Sequence, residues 1–472
     1  MNKKAYSPED PIAATATALV PAALGVIRTS GTDAIQLVSK IFSRPKALLE
    51  AKPNTIVYGW ITDGSKPAGQ QKIDEVLVAV YHGPKSYTGE DMAEIFCHGG
   101  TITVLSILNL LLANGFRQAE KGEFTFRSFI NGKGDLTKAE AVKEIIGSKT
   151  DESRSRAAER LDGSLYSEIE DIKQQLLKVI ASLEVEIEYP EDEENIAETF
   201  DTTELLKIKK RMETLCASWD TEKLYQDGAK VVLCGKTNAG KSSLFNVLLK
   251  EDRAIVSDIH GTTRDWLEST VSFDGIPVQL FDTAGLRKTD DVIEQKGVER
   301  SISLTEQADI ILYLIDSSIG IEKEDASFIE SFCKTDEKSK LVIVMNKSDK
   351  TAQSCKELIA KTQTRFPGTV IIPVSTKTTD GIRDLVSAVK GLLVHKEKTE
   401  NTVGLGSERQ KKILDEALDS VNHVFEVTNE GFTLDAAVQD IEDAISSLAE
   451  ITGEVTPDDI LESVFSSFCV GK

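Results

Sequence analysis

The apolar run Val231-Val232-Leu233-Cys234 breaks into Gly235-Lys236-Thr237-Asn238-Ala239-Gly240-Lys241-Ser242-Ser243, and apolar residues then return at helical spacing. A strand that feeds a glycine-framed loop opening a helix constrains the fold more than any other feature of this chain. Glycines let backbone N–H groups close around a phosphate. Lys241 brings a point charge to the β and γ oxygens, and the Ser242 hydroxyl suits a magnesium ion. The layout predicts an α/β domain with a doubly wound sheet around a bound nucleotide.

Three downstream signals follow in the order such a site requires. Asp282-Thr283-Ala284-Gly285 comes after Val278-Gln279-Leu280-Phe281, as for a strand that delivers a carboxylate to the magnesium shell and a glycine N–H to the γ-phosphate. Asn346-Lys347-Ser348-Asp349 comes after Leu341–Met345 and places a carboxylate where the N1–H and 2-amino group of guanine can both donate to it. Adenine lacks that donor pair, and a polar site built for it rejects the analogue by on the order of 10⁴-fold. Ser375-Thr376-Lys377, again after an apolar strand, backs the base with main-chain N–H groups. Each element alone is a common turn, but the ordered set over residues 231–377 resembles the G domain of the translation-factor class of P-loop GTPases, with a Ras-like fold. GTP and Mg²⁺ are therefore the expected ligands.

Two residues bear on hydrolysis. Leu286 stands where Ras-like enzymes carry a glutamine that orients the attacking water, so another group must do that work. Asn238, inside the phosphate loop, has two readings. Its carbonyl oxygen can place a monovalent cation beside the α, β and γ phosphates, with Gly261-Thr262-Thr263-Arg264-Asp265 supplying the first switch. Equally, it can be a loop asparagine that caps its own backbone.

Asn-Ala-Gly-Lys-Ser-Ser at 238–243, Gly-Thr-Thr-Arg-Asp at 261–265, Asp-Thr-Ala-Gly-Leu-Arg at 282–287 and the terminal Phe468-Cys469-Val470-Gly471-Lys472 together resemble the MnmE (TrmE) family of bacterial tRNA uridine-modification GTPases. The match continues through Gly83-Pro84-Lys85-Ser86-Tyr87-Thr88-Gly89-Glu90-Asp91, His98-Gly99-Gly100 and Gly122-Glu123-Phe124-Thr125, and so covers essentially the whole chain. The resemblance implies a potassium ion held by Asn238, by backbone groups of Ser257 and Ile259, and by Thr262, completed when two G domains meet. Asp258, His260 and Gly261 lie in the same nucleotide-facing stretch. Ser242 and Thr263 would be the magnesium ligands, and the family's water-positioning glutamate falls on Glu294. A one-carbon tetrahydrofolate, 5-formyl or 5,10-methylene, would contact Arg28, Glu94, Lys133 and Lys472. The family modifies C5 of the wobble uridine of certain tRNAs by aminomethyl or carboxymethylaminomethyl addition. It works as a homodimer, in complex with the flavin-dependent partner MnmG (GidA). Cys469 has two readings, a nucleophile for C6 of uracil or a residue that packs the C-terminal tail near the folate. Where the family often carries a Gly-Arg-Gly-Gly-like run, this chain has Leu19-Val20-Pro21-Ala22-Ala23-Leu24-Gly25.

A length of 472 residues suggests about three domains at ~150 residues each. The expected layout is a folate-binding and dimerisation α+β domain at 1–133, a first helical part at 134–226, an inserted G domain at 227–392, and a second helical part at 393–472. Short apolar runs with Gly/Pro turns and a helix over roughly Thr101 to Ala113 support the first of these. Ile169, Ile172, Leu176, Leu177, Ile180 and Leu183 recur at helical spacing in the second. In the last, Thr456-Pro457-Asp458-Asp459 reads as a helix start with a capping hydroxyl and proline at the first position, followed by Ile460, Leu461, Val464, Phe465 and Phe468 on one face. Periodicity gives helices only; that the two helical parts pack together is what the resemblance implies.

No apolar stretch approaches the roughly 18 residues of a membrane span, no signal peptide is evident, and a cytoplasmic protein is expected. Six scattered cysteines without a CxxC pair argue against structural zinc or a disulfide framework, and five histidines show no metal-ligand spacing. A net charge of −22 repels polyphosphate over much of the surface, so tRNA is expected to be held mainly through the partner. The contrasting reading, a regulatory GTP switch in ribosome assembly, usually carries a basic RNA-binding domain, which this acidic chain lacks. A scaffold with a vestigial nucleotide site is disfavoured by intact Lys241, Ser242, Asp282 and Asp349.

Overall fold

A computed structural model describes residues 10–188, 202–251, 268–282, 307–333, 340–350, 352–394, 403–429 and 434–472. The chain divides into two compact units. One comprises Met1–Lys143, Arg160–Ile208 and Lys412–Lys472, and the other Glu144–Glu159 and Lys209–Lys411.

The first unit opens with six strands: β1 (Ile12–Thr15), β2 (Leu24–Ser30), β3 (Thr55–Thr62), β4 (Lys72–Tyr81), β5 (Met92–His98) and β6 (Arg117–Gln118), in the spatial order β3-β4-β5-β2-β1-β6. Every pairing is antiparallel except β1 with β6. Period-2 alternation sends Ile27, Val76, Val78, Val80 and Ile95 to one face, where all are buried. The helix Thr101–Ala113 covers that face with Val104, Ile107, Leu108 and Leu111, the i, i+3, i+4, i+7 stripe of a half-buried helix.

In the same unit the 25-residue helix Ser164–Glu188 packs along the helix Leu434–Thr452. Ile169, Ile172, Leu176 and Leu183 on one side and Ala437, Ile441, Ala444 and Leu448 on the other are fully buried. Each buried Ile or Leu stabilises the pair by about 1.5–3 kcal/mol relative to exposure. The packing that periodicity left open is thus present between these two helices. Lys173 closes one end, reaching Glu454 at 2.7 Å and Glu170 at 3.1 Å.

The last helix, Asp458–Ser466, corrects one expectation. Pro457 is the cap residue, with φ −58° and ψ 146°, and no side chain caps the helix. The Thr456 hydroxyl is buried without a hydrogen-bond partner. Proline has already fixed an extended entry that carries Thr456 away from the first-turn N–H groups, and the two aspartates are left to complement the helix dipole. Phe465 and Phe468 then pack against Leu136, Phe126 and Phe129, with Phe126 edge-on to Phe465 at 5.5 Å.

The second unit contains a six-stranded sheet of β7 (Ala229–Gly235), β8 (Glu268–Phe273), β9 (Ile276–Asp282), β10 (Ile310–Asp316), β11 (Leu341–Asn346) and β12 (Val370–Pro373), in the order β12-β11-β10-β7-β9-β8. All pairings are parallel except β8 with β9. β10 and β11 are buried on both faces, which is why they read as unbroken apolar runs rather than alternating ones. The sheet and its helices Lys241–Glu251, Lys323–Cys333, Ala352–Arg365 and Ile382–Leu393 make the expected doubly wound domain. No described helix is long and apolar enough to cross a membrane.

Candidate functional site

Parallel strands that end together bring their following loops to one edge, and the carboxyl ends of β7, β9, β11 and β12 carry the predicted nucleotide residues. After β7 the chain turns through Gly235 at φ +128°, Asn238 at φ +66° and Gly240 at φ +99°, and the helix Lys241–Glu251 begins. The left-handed conformation favours glycine and asparagine, and a Cβ on Gly240 would collide with the Asn346 side-chain amide. Lys241 is almost fully buried and donates through Nζ to the carbonyl oxygens of Gly235 at 2.7 Å and Lys236 at 2.8 Å. Its ammonium is thereby held against the loop that would embrace phosphate. Ser242 Oγ donates to Asp282 Oδ2 at 2.9 Å, so a hydroxyl from the helix start and a carboxylate from the end of β9 stand together. That is an oxygen-donor set a hard divalent cation prefers.

Behind the loop, burial pushes the Cys234 thiol up to about 12, only partly offset by Lys241. It is an inert packing residue at neutral pH. Lys236 points the other way, bonded to Glu322 and lying 3.1 Å from Glu324 and 4.0 Å from Asp325. The bond to Glu322, then that to Glu324, raises its ammonium above the ordinary lysine value.

The base-reading motif is tied to the same loop. Fully buried Asn346 donates Nδ2–H to the Ala239 carbonyl at 2.8 Å, and its Oδ1 accepts from the N–H groups of Lys347 at 2.8 Å and Thr376 at 3.4 Å. Lys347, at φ +62°, donates Nζ–H to the Asn238 carbonyl at 2.9 Å and to Asp316 Oδ2 at 2.6 Å. Burial opposes the charge on Asp316, but the Lys347 ammonium and the hydroxyl and N–H of Ser318 outweigh it and hold the carboxyl below its ordinary value. Asp349 accepts from Ser375 Oγ at 2.8 Å, which fixes the plane of the carboxylate, and its Oδ2 has no hydrogen-bond partner among the described residues. Ser243 and Lys377 are exposed at the helix start and on the last loop.

A second constellation lies on the first sheet. Arg28 on β2 is directly opposite Glu94 on β5, and its Nε donates to Glu94 Oε1 at 2.8 Å. The same guanidinium donates to the Gly471 carbonyl at 3.1 Å and lies over the rings of Tyr87 and Phe124 at 5.5 and 5.7 Å. Tyr81 OH reaches Glu94 Oε2 at 3.4 Å, and burial, then the Glu94 charge, raises its pKa. The C-terminal tail arrives because Val470 bridges to Lys121, the Phe124 N–H donates to the Lys472 carbonyl at 3.2 Å, and Gly471 adopts φ +91°. A Cβ on Gly471 would run into the Thr15 carbonyl. Burial, then the nearby Arg28 charge, lowers the Lys472 ammonium below its usual value, with Glu94 opposing.

Arg28, Glu94 and Lys472 are thus brought together. Lys133 is instead bonded to the Pro84 carbonyl at 2.8 Å. Cys469 is an exposed free thiol whose sulfur accepts no side-chain hydrogen bond among the described residues. Ser257, Asp258, Ile259, His260, Gly261, Thr262, Thr263, Thr283, Ala284, Gly285 and Glu294 lie outside the described residues. Sequence reasoning missed Asp316, Lys236 with Glu322, and Tyr81. The signal for Asp316 was a carboxylate closing an apolar strand, the pattern already used for Asp282.

Two family models match the chain, one described as the MnmE helical domain over residues 136–469 and one as the GTP-binding protein TrmE N-terminus over residues 11–133. The tRNA modification GTPase MnmE of Treponema denticola is 52% identical over 479 residues, covering 99% of this chain and 99% of that protein. A protein of the same description from Treponema pallidum (strain Nichols) is 40% identical across 100% of both chains. Another, from Borreliella burgdorferi (strain ZS7), is 39% identical across 99% of this chain and 100% of its own length.

Proposed function

The chain belongs to the MnmE family of tRNA modification GTPases, and from that premise we propose a potassium-activated GTPase that modifies C5 of the wobble uridine of certain tRNAs with a flavin-dependent partner, MnmG. The observation that carries the nucleotide half is the gathering of Lys241, Ser242, Asp282 and Asp349 at neighbouring strand and helix ends. Lys241 exchanges its two carbonyl partners for β- and γ-phosphate oxygens, and Asp349 accepts from the two donors of guanine's edge. Ser242 and Asp282 would hold magnesium, with Thr263 as a further ligand. A metal held by these oxygens would supply positive charge against that developing on the transferring phosphoryl group. Asn238, with Ser257, Ile259 and Thr262, would hold potassium, and Glu294 would position the water that Leu286 cannot orient.

The folate half rests on Arg28, Glu94 and Lys472. A pterin ring offers an amino-pyrimidinone edge like that of guanine, which a carboxylate such as Glu94 recognises. Cations beside it suit a glutamate tail, and Lys133 is the expected outer contact. A bound tetrahydrofolate would supply the one-carbon unit, the partner's flavin the redox equivalents and an amine co-substrate the nitrogen of the aminomethyl or carboxymethylaminomethyl group, which leaves Cys469 to its packing reading.

A homodimer is supported by the uncovered face of the first sheet. Ile56, Tyr58 and Leu77 are exposed there, with Tyr58 directly opposite Leu77. A contiguous apolar patch of this kind calls for a partner surface.

Mass spectrometry of wobble uridines from cells lacking this gene tests the whole reading. The C5-modified nucleoside should disappear, return with the intact gene, and stay absent with Lys241→Ala. An unchanged nucleoside profile in the deletion would refute the assignment.

A further inference from the structure

Asp316 closes β10, and its two carboxylate oxygens have separate duties. Oδ1 accepts from the N–H of Ser318 at 3.0 Å and from its hydroxyl at 2.6 Å, which forms the turn after the strand. Oδ2 takes the Lys347 ammonium at 2.6 Å. The side chains of Asp316 and Lys347 are only 12% and 27% exposed, so this pair is screened less than a surface ion pair. The other hydrogen bond of that ammonium goes to the carbonyl of Asn238, in the phosphate loop.

We propose that Asp316 is a positioning residue for nucleotide retention, holding Lys347 as a lock between the guanine-reading motif and the phosphate loop. The proposal rests on the GTP-binding reading above and deepens it. Lys347 sits in a left-handed conformation unusual for a lysine, and its long side chain has several rotamers open to it. A fixed anion at Oδ2 selects the rotamer that reaches Asn238, and the neighbouring Asn346 amide pins Ala239 in parallel. With the anion gone, one of the two side-chain ties between the base motif and the loop loosens, and the nucleotide escapes faster. Guanine recognition by Asp349 and phosphate contact by Lys241 are untouched, so the defect lies in residence time and KM rather than in kcat.

Asp316→Asn separates the two duties. Asparagine serves well in such a turn and keeps an oxygen for Ser318, but must then aim its amide hydrogens at the Lys347 ammonium. The experiment is stopped-flow release of a fluorescent GDP from the full chain, with thermal melting and steady-state GTP hydrolysis on the same samples. Asp316→Asn should release GDP on the order of tenfold faster, as for loss of one charge-assisted hydrogen bond. Its melting temperature should stay close to the parent's and its kcat should change far less than its KM. In a Lys347→Met background the same substitution should add nothing. Release at the parental rate, or an equal acceleration with and without Lys347, overturns the lock. Failure of the parent protein to bind GDP at all would instead overturn the nucleotide reading on which the lock stands.

Discussion

Asn238 is the residue on which the proposed cation turns. Its left-handed φ is one asparagine tolerates, its carbonyl is taken by Lys347, and its side chain makes no hydrogen bond among the described residues. Both readings of Asn238 therefore stay open, and the proposed cation, doing an arginine finger's work, would need its side-chain oxygen at the loop's crest. GTP hydrolysis should be faster in KCl than in NaCl at matched ionic strength by at least about tenfold, or about 1.4 kcal/mol of barrier. Asn238→Ala should bring the potassium rate down to the sodium rate. Equal rates in the two salts for the parent protein would remove the cation from the mechanism. Lys241, Ser242, Asp282 and Asp349 were legible in the sequence because phosphate, magnesium and guanine each demand a residue type at a fixed offset from a strand. Asp316 and Lys236 were not. An aspartate before two serines reads as an ordinary turn, and a loop lysine reads as solvated until the fold supplies Lys347 or Glu322 as its partner.

At the scale of elements, the same contrast separates periodicity from docking. Apolar spacing located the helix Thr101–Ala113 and the stripe from Ile169 to Leu183 within the helix Ser164–Glu188, because a buried stripe must recur every three or four residues. Nothing in spacing says what the helix Asp458–Ser466 packs on, since that depends on which aromatic faces the rest of the fold leaves uncovered. The answer, Phe126, Phe129 and Leu136, gives this helix a task beyond stability. It aims the following tail so that the Gly471 carbonyl meets Arg28 and Lys472 sits beside Glu94. Phe465→Ala should cost about 3–5 kcal/mol of the packing that anchors the helix. The prediction is that calorimetry shows folate affinity falling with Phe465→Ala as well as with Glu94→Ala. GDP affinity, measured on the same samples, should hold in both variants. Undiminished folate binding by Phe465→Ala would mean that the tail contributes nothing to the site.

Across the whole molecule, electrostatics decide how an acidic protein can serve tRNA. Affinity for a polyanion comes chiefly from counterions released as lysines and arginines neutralise phosphates, and the logarithm of the binding constant falls with the logarithm of salt by roughly 0.7–0.9 per phosphate engaged. In this chain 77 acidic residues outnumber 55 basic ones, and several of the basic side chains are already committed internally. Arg28 is paired with Glu94, Lys173 with Glu454, Lys236 with Glu322 and Lys347 with Asp316. Burying the phosphate backbone against such a surface would cost repulsion that local contacts must first overcome. Binding of tRNA to the chain alone should therefore be weak, with a salt slope shallower than about −2. The slope should steepen several-fold once the flavin-dependent partner is present, because the partner then supplies the cations. Filter binding across a salt series, with and without the partner, measures both slopes. A slope of about −5 or steeper for the chain alone would reveal a basic tRNA-binding face on this protein and overturn the division of labour, because it requires more than five phosphates neutralised by its own residues.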